Sequence, residues 1–178
     1  MVNAPVKILL TGPPGYGKTT AVVKIVGTLD ARRIAGFCTE EIRDAGKRRG
    51  FGWRRLDGRT GILAHVDIRG PHRVGKYGVD IEGFDRDVVP VLNPGATHAD
   101  LFVVDEIGKM ECFSKIFVEA VRRLLDSDKC VLATVARKGG GFIREAKEHS
   151  SIRLLSLTAA NRDDVAKQVA AMLAALKR

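Results

Sequence analysis

Cysteine is scarce in this chain and forms no pattern. Cys38, Cys112 and Cys130 are odd in number and lack CxxC spacing, so neither a disulfide framework nor a zinc site is expected. Cys130 lies in an apolar run, where a thiol serves as a small hydrophobe. The four histidines, His65, His72, His98 and His149, show no ligand spacing and lead to no metal assignment. Long apolar stretches are missing as well. No run approaches the roughly 20 residues that a membrane helix needs, and the N-terminus lacks the charged-then-apolar order of a signal peptide. The expectation is a cytoplasmic protein with no membrane partner. Internal repeats and low-complexity tails are also absent, and 178 residues at 45% hydrophobic content fit one core. A single domain over 1–178, acting as a monomer, is expected.

Acidic residues are too few to balance the basic ones, but only locally. The net charge is +9. Residues 32–76 carry twelve Lys and Arg against five Asp and Glu, whereas residues 77–178 balance at fifteen of each. A local basic excess suits an anionic partner such as RNA, DNA or a nucleotide. The simpler reading is of hairpin faces kept soluble by charge. Trp53, Phe51 and Tyr77 lie among these cations, where they could stack on bases or fill a core.

Val6–Thr11 is a continuous apolar run, the pattern of a strand buried on both faces of a parallel sheet. Residues 18–29 then place Ala21, Val22, Ile25, Val26 and Leu29 on one helical face. Residues 34–66 change character: IAGFCTEEI, GFGWRRL and ILAHV are short β-prone stretches separated by Asp44-Ala45-Gly46 and Asp57-Gly58, which predicts an antiparallel meander. RVGKYGVDI reads as one more strand. A short helix from about Phe84 should stop near Asn93-Pro94-Gly95. Regular alternation follows: strand 101–105, helix 114–125, strand 130–135, helix 142–148, strand 153–157, helix 163–176. The last has Val165, Val169, Met172, Leu173 and Leu176 inward and Lys177 and Arg178 at its C-terminal dipole. Strand and helix in turn imply an α/β fold with a mainly parallel sheet flanked by helices.

Gly12-Pro13-Pro14-Gly15-Tyr16-Gly17-Lys18-Thr19 fits G-x-x-x-x-G-K-[ST]. Such a loop presents backbone N–H groups to a triphosphate, and glycines permit the dihedrals and close approach this requires. Lys18 would reach the β and γ phosphates, and Thr19 would ligate Mg²⁺ through its hydroxyl. Asp105 and Glu106 close a second apolar strand. Asp105 would hold Mg²⁺ through its water shell, and Glu106 would act as general base on the attacking water. Lys18 and Glu106 are therefore the candidate catalytic residues. Arg137 opens the loop Arg137-Lys138-Gly139-Gly140-Gly141, which reads as a mobile lid or as a plain flexible loop. Asn161 and Arg162 follow the last strand, where a base could lie, although Asn161 also suits an N-cap.

The run Asp105 to Glu111, DEIGKME, makes the chain resemble the thermophile nucleoside-triphosphatase family, whose vertebrate member is called cancer-related nucleoside-triphosphatase. GPPGYGKTT at 12–20, GFCTEE at 36–41, GKRRGF at 46–51, VGKYGVD at 74–80 and NRD at 161–163 carry the same resemblance. It implies a three-layer, RecA-like P-loop NTPase fold, with the antiparallel extension falling around 34–81. The implied activity is slow Mg²⁺-dependent hydrolysis of ATP, GTP and other nucleoside triphosphates. The implied nucleotide-contacting segments are the loop through Thr20 and Asp105 to Glu111, with Lys109 and Glu111 as neighbours of the site.

Two other readings remain open on sequence. A nucleotide, nucleoside or polynucleotide kinase would use the same loop and metal with a hydroxyl or phosphate as acceptor. A nucleic-acid-binding module would use turnover as a switch and residues 32–76 as its surface. A guanine-specific switch fits less well, because the chain has Arg162 where N-K-x-D has lysine.

Overall fold

A computed structural model describes residues 4–29 and 33–175. Leu176, Lys177 and Arg178, expected to end the last helix, lie outside these, as does Arg32. Nine strands form one sheet: β1 (Lys7–Gly12), β2 (Ile34–Asp44), β3 (Lys47–Arg55), β4 (Thr60–His65), β5 (Arg73–Val74), β6 (Tyr77–Val79), β7 (Leu101–Ile107), β8 (Cys130–Ala136) and β9 (Ile152–Ser156). Five α-helices accompany them: α1 (Lys18–Gly27), α2 (Ile81–Asp87), α3 (Lys115–Asp126), α4 (Phe142–Glu148) and α5 (Arg162–Ala174). The strand order is β5-β6-β4-β3-β2-β7-β8-β1-β9.

The sheet has two halves that meet in β2. Ile34–Phe37 pairs in parallel with β7, while the strand from Phe37 to Asp44 pairs antiparallel with β3. On the parallel side β1, β7 and β8 are buried on both faces, and the edge strand β9 is partly exposed. Ile8 and Leu10 of β1, Leu101 and Val103 of β7 and Leu132 of β8 pack with α1 and α5. Leu9, Phe102, Val104, Val131, Ala133 and Val135 alternate with them and pack with α2, α3 and α4. This period-two split explains the unbroken apolar runs, since neither face has room for a polar side chain. Three layers result, as the RecA-like expectation required. Lys7 fastens the start of β1 by donating to Leu125 O and Ser127 O, both at 2.6 Å.

Three expectations need correction. RVGKYGVDI is not one strand but a tight hairpin, β5 and β6, turned at Gly75 with φ 57°. The helix expected from Phe84 begins three residues earlier, because Asp80 accepts a hydrogen bond from Gly83 N and caps it. On the inward face of α5 Ala166 is buried, whereas Val165 and Met172 are only half-buried.

The parallel strands all end at one edge, and their loops build the site. The P-loop follows β1, Asp105 and Glu106 lie near the end of β7, Arg137 follows β8, and Thr158 to Asn161 follow β9. β8 separates β1 from β7.

Candidate nucleotide site

The loop after β1 is shaped by its glycines. A Cβ at Gly12 would meet Leu157 O at 2.6 Å, and Gly15 and Gly17 have φ of 79° and 82°, conformations that residues with a Cβ rarely adopt. Gly17 opens α1, whose first turn has no side-chain cap and no acidic residue. Its backbone N–H groups therefore face outward with a positive dipole end behind them, the arrangement that binds anions. Among the described residues Lys18 Nζ donates only to Gly12 O, at 3.3 Å.

Asp105 is fully buried and accepts four hydrogen bonds from three elements. Thr19 Oγ1 donates to Oδ2 at 2.8 Å, as do Thr39 N at 3.2 Å and Thr39 Oγ1 at 3.3 Å. Thr134 Oγ1 donates to Oδ1 at 2.6 Å. The P-loop helix, the β2 strand and β8 thus hold one carboxylate in a single orientation. Thr19 and Asp105 together offer hard oxygen donors, the kind that a small divalent cation prefers.

Glu106 is next along β7, where the pairing with β8 is interrupted between Val104 and Ile107. Burial pushes its carboxyl above the usual range, Lys18 pulls it back and Asp105 adds to the rise. Glu111 shares this corner. Its Oε2 would lie 2.8 Å from a Cβ on Gly108, and Glu106 Cγ 3.5 Å from the same point. The missing side chain at Gly108 lets the two acids approach. Glu111 is 5% exposed, and burial pushes its carboxyl to about 8, with Glu106 and Asp105 adding to the rise and its own and Gly108's backbone N–H opposing it. Lys109 is exposed.

Other expected residues fall differently. Arg137 is exposed and stands one residue past Ala136, which pairs with Gly12 across β1 and β8. Its loop is docked rather than loose: Lys147 Nζ donates to Arg137 O at 2.8 Å, and a Cβ on Gly139 would strike Ile143 at 2.6 Å. Asn161 occupies the N-cap position of α5 but makes no side-chain cap bond. Its Oδ1 instead accepts from Thr158 N at 2.7 Å and its Nδ2 donates to Ser156 O at 3.0 Å. Arg162 lies against the P-loop at Gly17.

The aromatic residues of the basic region are not laid out for stacking on bases. Trp53 and Tyr77 are buried and Phe51 is packed against the same core, with the Arg48 guanidinium over the Phe51 and Tyr77 rings. Several of the cations are spent on neighbours: Arg43 and Arg48 on Glu41, Arg54 on Glu40, Arg55 on Asp57 and Arg49 on Asp67.

Two residues of the site were not singled out from sequence. Thr134 is the one hydroxyl in the apolar strand CVLATVA, and a buried hydroxyl needs a partner, which is the signal that could have found it. Thr39 belongs to GFCTEE, but its partner lies 66 residues away and nothing local announces it.

Comparison with known proteins agrees with this geometry. The family profile described as NTPase matches residues 7–170. A nucleoside-triphosphatase THEP1 of Thermotoga petrophila is 42% identical over 92% of this chain and 90% of its own. The human cancer-related nucleoside-triphosphatase is 35% identical over 88% and 90%. The crystal structure of THEP1 from Aquifex aeolicus superposes with a TM-score of 0.87 at 34% identity, covering 97% of this chain and all of that one. The chain belongs to the THEP1 family of nucleoside-triphosphatases and is a nucleoside-triphosphate phosphohydrolase.

Proposed function

We propose that the protein hydrolyses ATP, GTP and other nucleoside triphosphates to diphosphate and phosphate in a Mg²⁺-dependent reaction, slowly and with little preference among bases. The observation that carries this reading is the convergence on Asp105: the P-loop hydroxyl of Thr19 donates to the carboxylate at 2.8 Å, with Glu106 adjacent and close enough to Lys18 to feel its charge. Bound between Thr19, Asp105 and the phosphates, Mg²⁺ would neutralise charge on the triphosphate. The protein's own groups do the rest. The P-loop amides and Lys18 hold the phosphates, and Glu106 orients water and accepts its proton. The raised carboxyl of Glu106 is suited to that task, since a stronger base follows from its partial burial.

Glu106→Gln tests the assignment. It should bind a non-hydrolysable triphosphate as well as the wild type does and release phosphate at least about a hundredfold more slowly. Near-normal release would refute the role of Glu106, and transfer of label to an added nucleoside, nucleotide or RNA end would identify a kinase instead.

A further inference from the structure

Arg162 approaches the P-loop from the flank opposite the acids. Along the sheet, β7 with Asp105 and Glu106 lies two strands from β1 on one side, while β9 and the loop leading to α5 lie directly beside β1 on the other. Arg162 is the first residue of α5. A Cβ on Gly17 would meet its Nη1 at 2.7 Å and its Cδ at 2.8 Å, so the guanidinium rests on the glycine that precedes Lys18. Its Nε is buried and has no hydrogen-bond partner among the described residues. The carboxylate within 4 Å, Asp163, stands 3.8 Å away and already takes Lys24 at 2.8 Å.

A buried guanidinium donor without an acceptor is costly, and the cost falls when an anion arrives. The neighbouring Asn161 amide is already held at both ends by the Ser156–Thr158 backbone, accepting at Oδ1 and donating one Nδ2 hydrogen. Arg162 Nε is therefore the buried, uncommitted donor of the NRDD segment among the described residues. It is also the one that a loop wrapped around phosphates would bring into reach.

We propose that Arg162 binds the phosphate chain of the nucleotide at its nucleoside end, on the α-phosphate side, across the P-loop from Glu106. This rests on the reading of the P-loop as a nucleoside-triphosphate site and adds a division of labour to it. The γ-phosphate is served from the β7 side and the nucleoside end from the β9 side. A group at that end contributes equally to binding diphosphate and triphosphate and leaves the chemical step untouched.

Calorimetry with Mg²⁺ and either ADP or a non-hydrolysable ATP analogue, alongside steady-state phosphate release, tests this on the full chain. Arg162→Gln should weaken both ligands by the same factor, about tenfold or more, as for a lost charge-assisted hydrogen bond. KM should rise and kcat stay within about twofold. Arg162→Lys should recover only part of the affinity, because lysine keeps the charge but not the planar fork. That variant decides alone if the glutamine form does not fold. Wild-type affinity for both ligands in a folded variant overturns the proposal, since a packing role would move only the melting temperature. A fall in kcat with ADP affinity intact overturns it too, by placing the guanidinium at the γ-phosphate. If the wild type binds neither ligand, the nucleotide-site reading itself fails, a result distinct from any change confined to Arg162.

Discussion

The parallel and antiparallel halves of the sheet share β2 but are built on different terms. In the parallel half, the inner strands are buried on both faces and their few polar groups gather mainly toward the C-terminal ends, where the site forms. Thr134 and Asp105 are fully buried there, and they bond to each other. In the antiparallel half the charged residues face water and answer one another in pairs. Glu41 takes Arg43 at 2.6 Å and Arg48 at 2.8 Å, and Glu40 takes Arg54 at 3.0 Å. The meander contributes one side chain to the acid corner, Thr39. Chemistry in this molecule is concentrated where polar groups are buried and scarce, and acids of the meander are taken up by neighbouring cations at its surface.

If that contrast is right, the largest effects should come from buried polar groups of the parallel half, beginning with Glu111. Its carboxyl stands at about 8 in the folded chain against an ordinary 4.5. Below pH 4.5 both the folded and unfolded forms are protonated and nothing is lost. Between 4.5 and 8 the unfolded chain ionises while the folded one keeps its proton, so stability falls as pH rises. Above 8 the full penalty applies, and at about 1.4 kcal/mol per unit it amounts to several kcal/mol. Glu111→Gln keeps an acceptor for the Gly108 backbone and removes the titration. Denaturation at pH 5, 7 and 9 should show the variant gaining on the wild type with each step, whereas parallel curves would mean that Glu111 ionises normally.

Thr134→Val comes next. Valine fills the same space, but Asp105 Oδ1 loses its donor in a fully buried position. The expected loss is about 1 to 3 kcal/mol in unfolding free energy. Phosphate release should fall with it, because the carboxylate is then held from one side only. Thr39→Val is the matched change from the other half. Asp105 Oδ2 would keep Thr19 Oγ1 and Thr39 N, so the loss should stay below about 1 kcal/mol. A Thr39 effect equal to that of Thr134 would show that the meander is as much a part of the site as the core.

The same contrast explains what the sequence disclosed. The strands and helices of the parallel half were legible almost residue by residue, α4 over 142–148 and β8 from Cys130 among them, because burial on both faces writes itself into long apolar runs. The P-loop and the strand-end acids were legible because spacing and residue type follow from phosphate and metal chemistry. Their meeting across β8 was not, since it depends on strand order. In the meander the pattern is weak. The hairpin at Gly75 has strands of two and three residues, too short for any period. The fate of Trp53 and Tyr77 was undecided because aromatic residues among cations look alike whether they stack on a ligand or fill a core, as these two do. Asn161 misled by its position: it has the residue type of a cap, yet a turn with Thr158 and Ser156 competes for the same amide. Arg162 was read as a candidate base contact, and its packing on Gly17 is a contact of 145 residues' separation that no local signal carries.

The smallest expected effect is the sharpest test of the contrast. Glu40 directly follows Thr39 and pairs with Arg54 across β2 and β3 at 3.0 Å, with both side chains about half exposed. An exposed ion pair of this kind is worth about 0.2 to 1 kcal/mol, and salt screens it. A double-mutant cycle with Glu40→Gln and Arg54→Gln should give a coupling in that range at low salt and close to none at high salt. Phosphate release should be unchanged in all three variants, because Thr39 N and Oγ1 reach Asp105 without help from the pair. If kcat instead tracks the cycle, the charged ladder of the meander is steering the carboxylate through its neighbour, and the basic hairpin is a control surface for hydrolysis.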